Sequence, residues 1–442
     1  MTGDTRHPQD KSVYLNNVAS TVKRIRNHPA LAYYVASNES SEVSGTPELL
    51  KLLDGTRGYQ MQSECAGVHD GSPYKQVNPM QHYENTASAR GSRVDGFNPE
   101  YGAPTLPTVE ILREMMDEKD LWPINKEVWD YLDGNGFHLM STMYADLVNN
   151  YGQSSSIDEF AQKGQFVGAM NSKSIWEVWN YNKLDYGDRF CSGLLFWYHN
   201  CPVRQVCARM WDWSLEPTAS LYHTANALEP LHVQFDYLKN TVSVVNDYYQ
   251  EFEGYTVVAQ VYDINSEKVF EKSVKVDLPL DGVANDVLTI RFPEDISQVH
   301  FIKLRLKDEK GKEVSSNFYW RSNDKYEGKE TLTGPTSSGF ETLSQLKKAK
   351  LKTTYKIRKS EGKYFVDVTV KNVSGSIAFF NQLQFLNQDL KPIRPSFYTD
   401  NFFSLMPGES KFVVIETNAE KIIEKPVIVV KGWNVDRKQI NK

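Results

Sequence analysis

The segment NHPALAYYVASNE, residues 27–39, decides how the first half of this chain folds. Its apolar, aromatic-rich run has the length of a strand and ends abruptly in Asn38 and Glu39. A second run, DGFNPEYG at residues 95–102, ends in a similar way around Glu100. A carboxylate at the carboxyl end of a buried strand adds little to packing and is well placed for chemistry. Glu39 and Glu100 are therefore the first candidates for a catalytic pair.

Around these two runs, strand-like apolar segments alternate with helical patterns up to about residue 230. Residues 14–27 carry apolar side chains at helical spacing and lead into the first strand, and residues 157–181 form the longest helical pattern. The segment SGLLFWYHN at residues 192–200 reads as a last buried strand. Continuous apolar runs that alternate with helices are typical of parallel strands buried on both faces. The pattern predicts an α/β domain over residues 1–229.

After residue 230 the apolar pattern changes to a period of two. The segments HFIKLRLKD and KYFVDVTVKN place apolar and polar side chains on alternate faces, as half-buried antiparallel strands do. We expect an immunoglobulin-like β-sandwich at residues 230–325 and a second one at 346–442. The polar stretch between them, residues 326–345, is rich in Gly, Ser and Thr and reads as a linker.

Composition excludes several classes of function. The chain has 442 residues, enough for two or three domains, and its formal charge of -6 gives no basic surface for nucleic acid. It contains no apolar run of about 18 residues, the length of a membrane span. No phosphate-binding Gly-rich loop or zinc motif occurs, so we expect no cofactor and no metal.

Cys201 and Cys207 are spaced such that they could form a disulfide, although unpaired thiols are the simpler interpretation.

Several stretches in order along the chain resemble glycoside hydrolase family 2. The closest likeness is to the branch with mannosylglycoprotein endo-β-mannosidases and exo-β-D-glucosaminidases. The matching stretches are RIRNHPALAYYVASNE, DGTRGYQMQS, GFNPEYGAPTLPTVEILREMM, SGLLFWYHN, ALEPLHVQFDY, SSNFYW, TDNFFSLMPGES and VVKGWN. The resemblance implies a (β/α)8 barrel, a TIM barrel, whose acid/base ends the fourth strand and whose nucleophile ends the seventh. Glu39 and Glu100 fall on those two positions.

The same resemblance implies that this chain is the C-terminal portion of such an enzyme. Relatives carry a jelly-roll-like sugar-binding domain, an immunoglobulin-like domain and three barrel strands ahead of the matching segment. We therefore expect strands four to eight of the barrel here, followed by the two sandwiches, with Met1 at an internal position. Relatives of this type are often exported, so the expected location of the parent protein is the periplasm or the exterior of a bacterium.

The two carboxylates are assigned different roles in a retaining mechanism. Glu39 is the predicted acid/base, which must be protonated at rest and so needs a raised pKa. Glu100 is the predicted nucleophile, which forms the covalent glycosyl intermediate. The alternatives are a surface carboxylate for Glu39 and a helix-start carboxylate for Glu100.

Four further residues are candidates for substrate binding. The resemblance implies that Asn38 bonds the 2-substituent of the sugar, and an Asn that ends a strand in a turn is the alternative. Tyr83, placed in the sixth-strand segment QHYE, is either a donor to the nucleophile or a core residue. Trp197, at the end of the eighth strand, is a candidate sugar platform or a packing residue, and Asn200 is a weaker candidate of the same kind.

The predicted function is that of a retaining β-glycosidase of the β-mannosidase or exo-β-D-glucosaminidase type. The expected partner is a β-linked oligosaccharide or glycan. Some exo-glucosaminidases of this branch have Asp at the acid/base position, so Glu39 favours a β-mannoside or a neutral β-glycoside. The main alternative is an inactive fragment whose sandwiches are structural or bind carbohydrate. An adhesion module built on the sandwiches is a further alternative with less support.

Overall fold

The structure, a computed structural model, describes residues 8–38, 40–63, 68–70, 79–84, 96–183, 191–323, 339–422 and 425–440. The helices in these ranges are α1 (Lys11–Ile25), α2 (Thr46–Leu53), α3 (Pro79–Glu84), α4 (Val109–Met115), α5 (Glu118–Leu121), α6 (Lys126–Leu132), α7 (Met140–Tyr151), α8 (Ile157–Tyr181) and α9 (Ala219–Ala227), with 3-10 helices at Phe340–Gln345 and Ala419–Lys421.

The strands fall into a parallel group in the first half and antiparallel groups after it. They are β1 (Tyr33–Val35), β2 (Gly58–Gln60), β3 (Val68–Asp70), β4 (Gly96–Tyr101), β5 (Cys191–Phe196), β6 (Leu231–Asp236), β7 (Thr241–Asn246), β8 (Phe252–Tyr262), β9 (Lys268–Leu278), β10 (Gly282–Thr289), β11 (Val299–Lys307), β12 (Glu313–Ser322), β13 (Leu351–Ser360), β14 (Lys363–Asn372), β15 (Ala378–Leu386), β16 (Phe397–Tyr398), β17 (Phe403–Leu405), β18 (Ser410–Asn418), β19 (Val427–Gly432) and β20 (Val435–Gln439).

The first half contains the predicted parallel strands. β1 pairs with β2, and β4 lies between β3 and β5, with every one of these pairs parallel. One local prediction was wrong, because QHYE lies in helix α3 rather than in the sixth strand. Helical spacing lets Met80 and Tyr83, three residues apart, pack into the same hydrophobic cluster, whereas strand alternation would place them on opposite faces.

Helix α8 runs through the middle of the molecule and joins the first half to the sandwiches. Its N-cap Ser156 accepts a hydrogen bond from the backbone N–H of Glu159, as in a capping box. Buried residues occur on every side of the helix, which is the pattern of a helix enclosed by protein. No helix within the described ranges is both long and apolar enough to cross a bilayer.

Buried polar side chains fix α8 to the first sandwich, and we call Glu177, His232, Asn317 and Tyr319 the α8 joint. Glu177 Oε1 accepts hydrogen bonds from His232 Nε2 at 3.0 Å, from Asn317 Nδ2 at 2.7 Å and from the Tyr319 hydroxyl at 2.8 Å. Lys173, one turn earlier on α8, donates to Asn317 Oδ1 at 2.9 Å and lies 3.7 Å from the ring centroid of Tyr319. A carboxylate that accepts three bonds is well suited to hold two domains in one orientation.

Both predicted sandwiches are present. In the first, a sheet of order β10-β7-β6 faces one of order β12-β11-β8-β9, and in the second the orders are β13-β14-β18-β16 and β17-β15-β19-β20. The predicted inward positions of HFIKLRLKD are correct, since Ile302, Leu304 and Leu306 are fully buried. The end of the stretch predicted as a linker is ordered, because Phe340 is buried and its ring stacks on Tyr151 at 5.1 Å.

Candidate active site

Glu100 lies near the carboxyl end of β4, the middle strand of the three-stranded parallel sheet. Its Cα partner on β3 is Asp70. The backbone N–H of Glu100 donates to Oδ1 of Asn98 at 2.9 Å, and Asn98 is itself fully buried. An Asn that bonds the backbone two residues on holds the chain in a local turn. The direction in which the partly buried Glu100 leaves the sheet is therefore set by a side chain inside the sheet.

A backbone hydrogen bond links the carboxyl ends of β4 and β5 at the residue after Glu100. The backbone N–H of Trp197 donates to the carbonyl of Tyr101 at 2.6 Å. At Gly102 the approach is so close that an added Cβ would lie 1.9 Å from the carbonyl oxygen of Trp197. Only glycine tolerates such a contact with backbone. The structure thus brings Trp197 and Glu100 to the same edge of the parallel sheet.

Arg209 lies behind this edge and is almost fully buried. Its guanidinium donates to the carbonyl of Gly102 and lies 5.6 Å from the ring centroid of Trp197 and 5.0 Å from that of Tyr198. A cation next to the electron-rich face of an aromatic ring is attracted to it. Arg209 therefore connects the backbone after Glu100 to two rings after β5. We call Glu100, Gly102, Trp197 and Arg209 the site edge.

The Tyr198 hydroxyl and the His138 imidazole are both neutral at ordinary pH. The Tyr198 hydroxyl accepts from Gln205 Nε2 at 2.6 Å, and burial raises the pKa of Tyr198 to about 12. Burial, together with the charge of Arg209, lowers the pKa of His138, which lies 3.5 Å from the Tyr198 hydroxyl. The positive charge next to the two rings is thus that of Arg209 rather than of His138.

The predicted acid/base, Glu39, lies outside the described residues, and its neighbour Asn38 lies in a bend three residues after β1. The flanking residues Ser37 and Ser40 are buried, with their hydroxyl oxygens 2.7 Å apart. The carboxyl ends of β1 and β2 are tied together there, because the N–H of Ser63 donates to the carbonyl of Ser37 at 3.0 Å. Asn38 is thus positioned by a parallel strand end, as Glu100 is.

Two of the candidate binding residues lie in other settings. Tyr83 is buried in α3, and its hydroxyl donates to the carbonyl of Phe235 at 3.1 Å. A hydroxyl has one proton, so in this structure Tyr83 is a core residue at the first sandwich rather than a donor to the nucleophile. Asn200, three residues after Trp197, is exposed and forms a β-bridge with Trp211.

Sequence reasoning missed Arg209 and the ring of Phe137. Phe137 lies in the segment between α6 and α7, with its ring centroid 6.2 Å from that of Trp197. Nothing in the spacing of Phe137 points to Trp197, which lies 60 positions away in the sequence. The sequence does carry a weak signal for Arg209, since this Arg interrupts a segment that is otherwise rich in Cys, Val and Trp.

The cysteines and the acidic residues form no metal site in the part of the chain that the structure describes. No group of three or more His, Cys, Asp or Glu side chains there could hold a metal ion. Cys201 and Cys207 are free thiols, and both are buried. The interpretation of Cys201 and Cys207 as unpaired is therefore confirmed, and the Cys201 thiol donates to the carbonyl of Cys207 at 2.9 Å.

Comparisons with known proteins match both sandwiches and extend over nearly the whole chain. Residues 331–435 match the family described as exo-beta-D-glucosaminidase Ig-fold domain, and residues 239–326 match the mannosidase Ig/CBM-like domain. The exo-beta-D-glucosaminidase of Amycolatopsis orientalis is 25% identical over 449 residues, covering 94% of this chain and 43% of the relative. The mannosylglycoprotein endo-beta-mannosidase of Lilium longiflorum is 22% identical over 540 residues, covering 97% of this chain and 54% of the relative.

Solved structures show the same fold. The crystal structure of the Amycolatopsis orientalis exo-chitosanase superposes with a TM-score of 0.88 at 22% identity and covers 98% of this chain and 54% of that chain. A beta-D-mannosidase from Dictyoglomus thermophilum gives a TM-score of 0.70 at 18% identity over 98% of this chain and 52% of that chain. The chain thus spans about half the length of the relatives it matches. The resemblance to glycoside hydrolase family 2, in its mannosidase and exo-glucosaminidase branch, is confirmed, and both sandwiches are immunoglobulin-like.

Proposed function

We propose that this chain carries the catalytic pair of a retaining β-glycosidase. The observation that carries the proposal is the site edge, where Glu100 and Trp197 leave adjacent parallel strands at the same end. A carboxylate beside a half-buried ring, with a buried cation next to that ring, suits a sugar ring that must be held over a nucleophile. The sequence relatives are named as β-glycosidases, which supports the same reaction class.

The proposed setting of this pair is the later part of a (β/α)8 barrel, in which β1 to β5 correspond to the fourth to eighth strands. Active sites of such barrels lie at the carboxyl ends of the strands. Asn38 and Glu39 follow β1, and Glu100 and Trp197 lie at the ends of β4 and β5. In this proposal, all the candidate functional residues except Tyr83 lie at or after the carboxyl ends of the parallel strands.

The proposed reaction proceeds by double displacement. The carboxylate of Glu100 attacks the anomeric carbon while the carboxyl of Glu39 gives its proton to the leaving oxygen, so that a glycosyl ester forms on Glu100. Glu39, now a carboxylate, takes a proton from water, and the water oxygen displaces Glu100 from the anomeric carbon. Both carboxyl groups return to their initial states, and the sugar keeps the β configuration.

The proposed substrate is a β-linked mannoside or glucosaminide. The exo-chitosanase relative has been crystallised as a variant with PNP-beta-D-glucosamine, which favours an amino sugar. Glu39, where some glucosaminidases of this branch have Asp, favours a neutral sugar. The two observations lead to different expectations, and parallel assays of p-nitrophenyl β-mannoside and β-glucosaminide decide between them.

The roles of the two carboxylates can be separated by azide rescue in the protein that carries this chain. The Glu100→Ala variant with azide should give an α-glycosyl azide, because azide attacks from the face that the carboxylate has vacated. The Glu39→Ala variant with azide should give a β-glycosyl azide, because azide then attacks the ester on Glu100. Proton NMR of the products distinguishes the two anomers.

Three outcomes would contradict the proposal. Wild-type protein that is folded and hydrolyses neither aryl glycoside would favour the structural or carbohydrate-binding alternative. A first product of α configuration would show inversion rather than retention. An exchange of the two azide products between the variants would reverse the roles of Glu39 and Glu100.

A further inference from the structure

A row of aromatic side chains continues from the site edge onto the second sandwich. The backbone N–H of Trp211 donates to the carbonyl of His199 at 3.2 Å, and the two rings are 6.5 Å apart. Beyond Trp211 lies Phe397 of β16, with ring centroids 5.7 Å apart and planes inclined by 68°. Trp211 therefore bridges the segment after β5, which begins with Trp197, and a side chain of the C-terminal sandwich.

Phe397 occupies the outward position of its strand and is 51% exposed. Its neighbour Tyr398 faces inward, where its hydroxyl accepts from the backbone N–H of Phe385 at 2.9 Å. Because side chains alternate between the faces of a strand, a polar residue would be the ordinary choice at position 397. Core packing therefore does not account for this Phe, and a surface contact does.

The position of Phe397 relative to Trp211 is fixed by ion pairs. Arg394 donates to both carboxylate oxygens of Glu114, at 2.6 and 3.0 Å, and to Glu216 at 3.3 Å. Glu114 lies in the last turn of α4, and Glu216 lies in the segment after Trp211, so both belong to the first half of the chain. A bidentate Arg–carboxylate pair sets distance and direction together. The ion pairs of Arg394 thus keep the ring of Phe397 in a fixed position relative to Trp211.

At its other end the row includes Phe137, which is 67% exposed and lies 6.2 Å from Trp197. We define the aromatic strip as Phe137, Trp197, Trp211 and Phe397. The exposed side chains of His199 and Asn200 lie along it. Such a surface offers flat apolar faces for the C–H side of sugar rings and polar groups for their hydroxyls.

We propose that the aromatic strip binds the sugar residues of a β-linked oligosaccharide that lie beyond the residue attacked by Glu100. The inference rests on the proposed function and extends it, because it makes the second immunoglobulin-like domain part of substrate binding. From His199, two residues after Trp197, two ring spacings lead through Trp211 to Phe397 of the sandwich, so the row of rings is longer than a site for one sugar requires. The consequence is a preference for long substrates over aryl glycosides.

The test compares kcat/KM on an aryl β-glycoside with kcat/KM on β-linked di- to hexasaccharides of the same sugar. In wild-type protein the ratio of oligosaccharide to aryl glycoside should rise with length. Phe397→Ala should lower that ratio for the hexasaccharide by up to about tenfold, the factor that one aromatic contact supplies. Phe397→Trp should keep the ratio, since it keeps a ring at the position.

Phe412 provides a matched control on the same sandwich. It is 58% exposed and lies on β18, in register with Thr369 rather than beside Trp211. Phe412→Ala should leave both substrates unaffected. A ratio that is unchanged in Phe397→Ala, or lowered equally in Phe412→Ala, would overturn the inference.

A binding measurement tests the aromatic strip independently of the proposed reaction. Calorimetric titration of the hexasaccharide into Glu100→Gln, and into Glu100→Gln with Phe397→Ala, measures affinity without turnover. A Kd that is weakened by the loss of Phe397 supports the strip, and this holds even if wild-type protein hydrolyses nothing and the proposed function fails. Equal Kd values in an active enzyme would remove the strip and leave the proposed function in place.

Discussion

The site edge and the α8 joint differ in how far they exclude solvent. The site edge is built from backbone contacts, a glycine and one buried cation, and it leaves Glu100 partly accessible. The α8 joint is sealed, since Glu177, His232, Asn317 and Tyr319 are at most 2% exposed. Buried polar groups that are well bonded define a unique packing, whereas an accessible group can come into contact with a substrate. The comparison teaches that domain orientation and chemistry are carried by different residues, and substitutions should separate the two.

Glu100→Gln should have the largest effect and should act on chemistry alone. Loss of the proposed nucleophile is expected to lower kcat on an aryl β-glycoside by a factor on the order of 10⁴–10⁶. The free energy of unfolding should change by less than about 1 kcal/mol, because the replacement has nearly the same shape. Steady-state kinetics and urea unfolding measure the two effects. A variant that retains a tenth of the activity would remove Glu100 from the role of nucleophile.

Glu177→Ala should give the converse result at the α8 joint. Removing the acceptor of three buried donors is expected to lower the free energy of unfolding by about 3–5 kcal/mol. At a temperature where the variant is still folded, its kcat should lie close to the wild-type value. Glu271→Ala, which breaks a surface pair with Lys268, is the control and should cost about 1 kcal/mol or less. Equal destabilisation by both variants would show that the joint does not hold the domains.

Gly102→Ala should affect both properties, because Gly102 lies at the site edge and in contact with the neighbouring strand end. The new methyl group would overlap the carbonyl of Trp197, and overpacking of this kind costs about 1–3 kcal/mol. The displaced Trp197 should also lower kcat/KM and change the tryptophan fluorescence. Gly375→Ala, where an added Cβ meets nothing within 4 Å, should change none of the three measurements. Activity and fluorescence of Gly102→Ala at the wild-type level would argue against the close approach.

Lys173 should make the stability of the α8 joint depend on pH. Burial lowers its pKa to about 8, although the charge of Glu177 raises it. Since the folded state loses this proton at lower pH than the unfolded state, stability should rise between about pH 8 and 10.4. Its expected contribution over that window is about 2 kcal/mol, and Lys173→Met should lack it.

The neighbours of Lys173 must be considered in that measurement. Burial disfavours the charged form of His232, but its hydrogen bond to Glu177 and the carboxylate of Glu229, 3.9 Å from Nδ1, outweigh burial, so its pKa is raised. A raised pKa gives stability that is present below about pH 6.5 and is lost as the pH rises through the folded value. The effect of His232 thus has the opposite sign to that of Lys173. Urea unfolding of wild type and Lys173→Met at several pH values gives the free energy of unfolding of each as a function of pH. The difference between the two curves is the contribution of Lys173. Parallel curves would contradict the predicted rise between about pH 8 and 10.4.

The regular elements could be predicted from the sequence because their signals are local. The alternation in residues 300–308 gave the correct inward face of β11, and the apolar spacing over residues 157–181 gave the exact extent of α8. Where a segment is short and mixed the prediction failed, as it did for QHYE. Three or four residues satisfy both a helical and a strand pattern, so the choice at Tyr83 depends on the core against which it packs.

The sequence by itself determined the classes of the elements, the candidates Glu39 and Glu100, and the resemblance to β-glycosidases, since strand ends, periodicity and motif order are properties of neighbouring residues. Only the tertiary structure decided which strand ends meet, that Arg209 lies behind Trp197, and that Phe397 of the last domain lies beside Trp211. These contacts join positions far apart in the chain. No local pattern encodes them, because they follow from how buried helix α8 and the ion pairs of Arg394 fix the domains against one another.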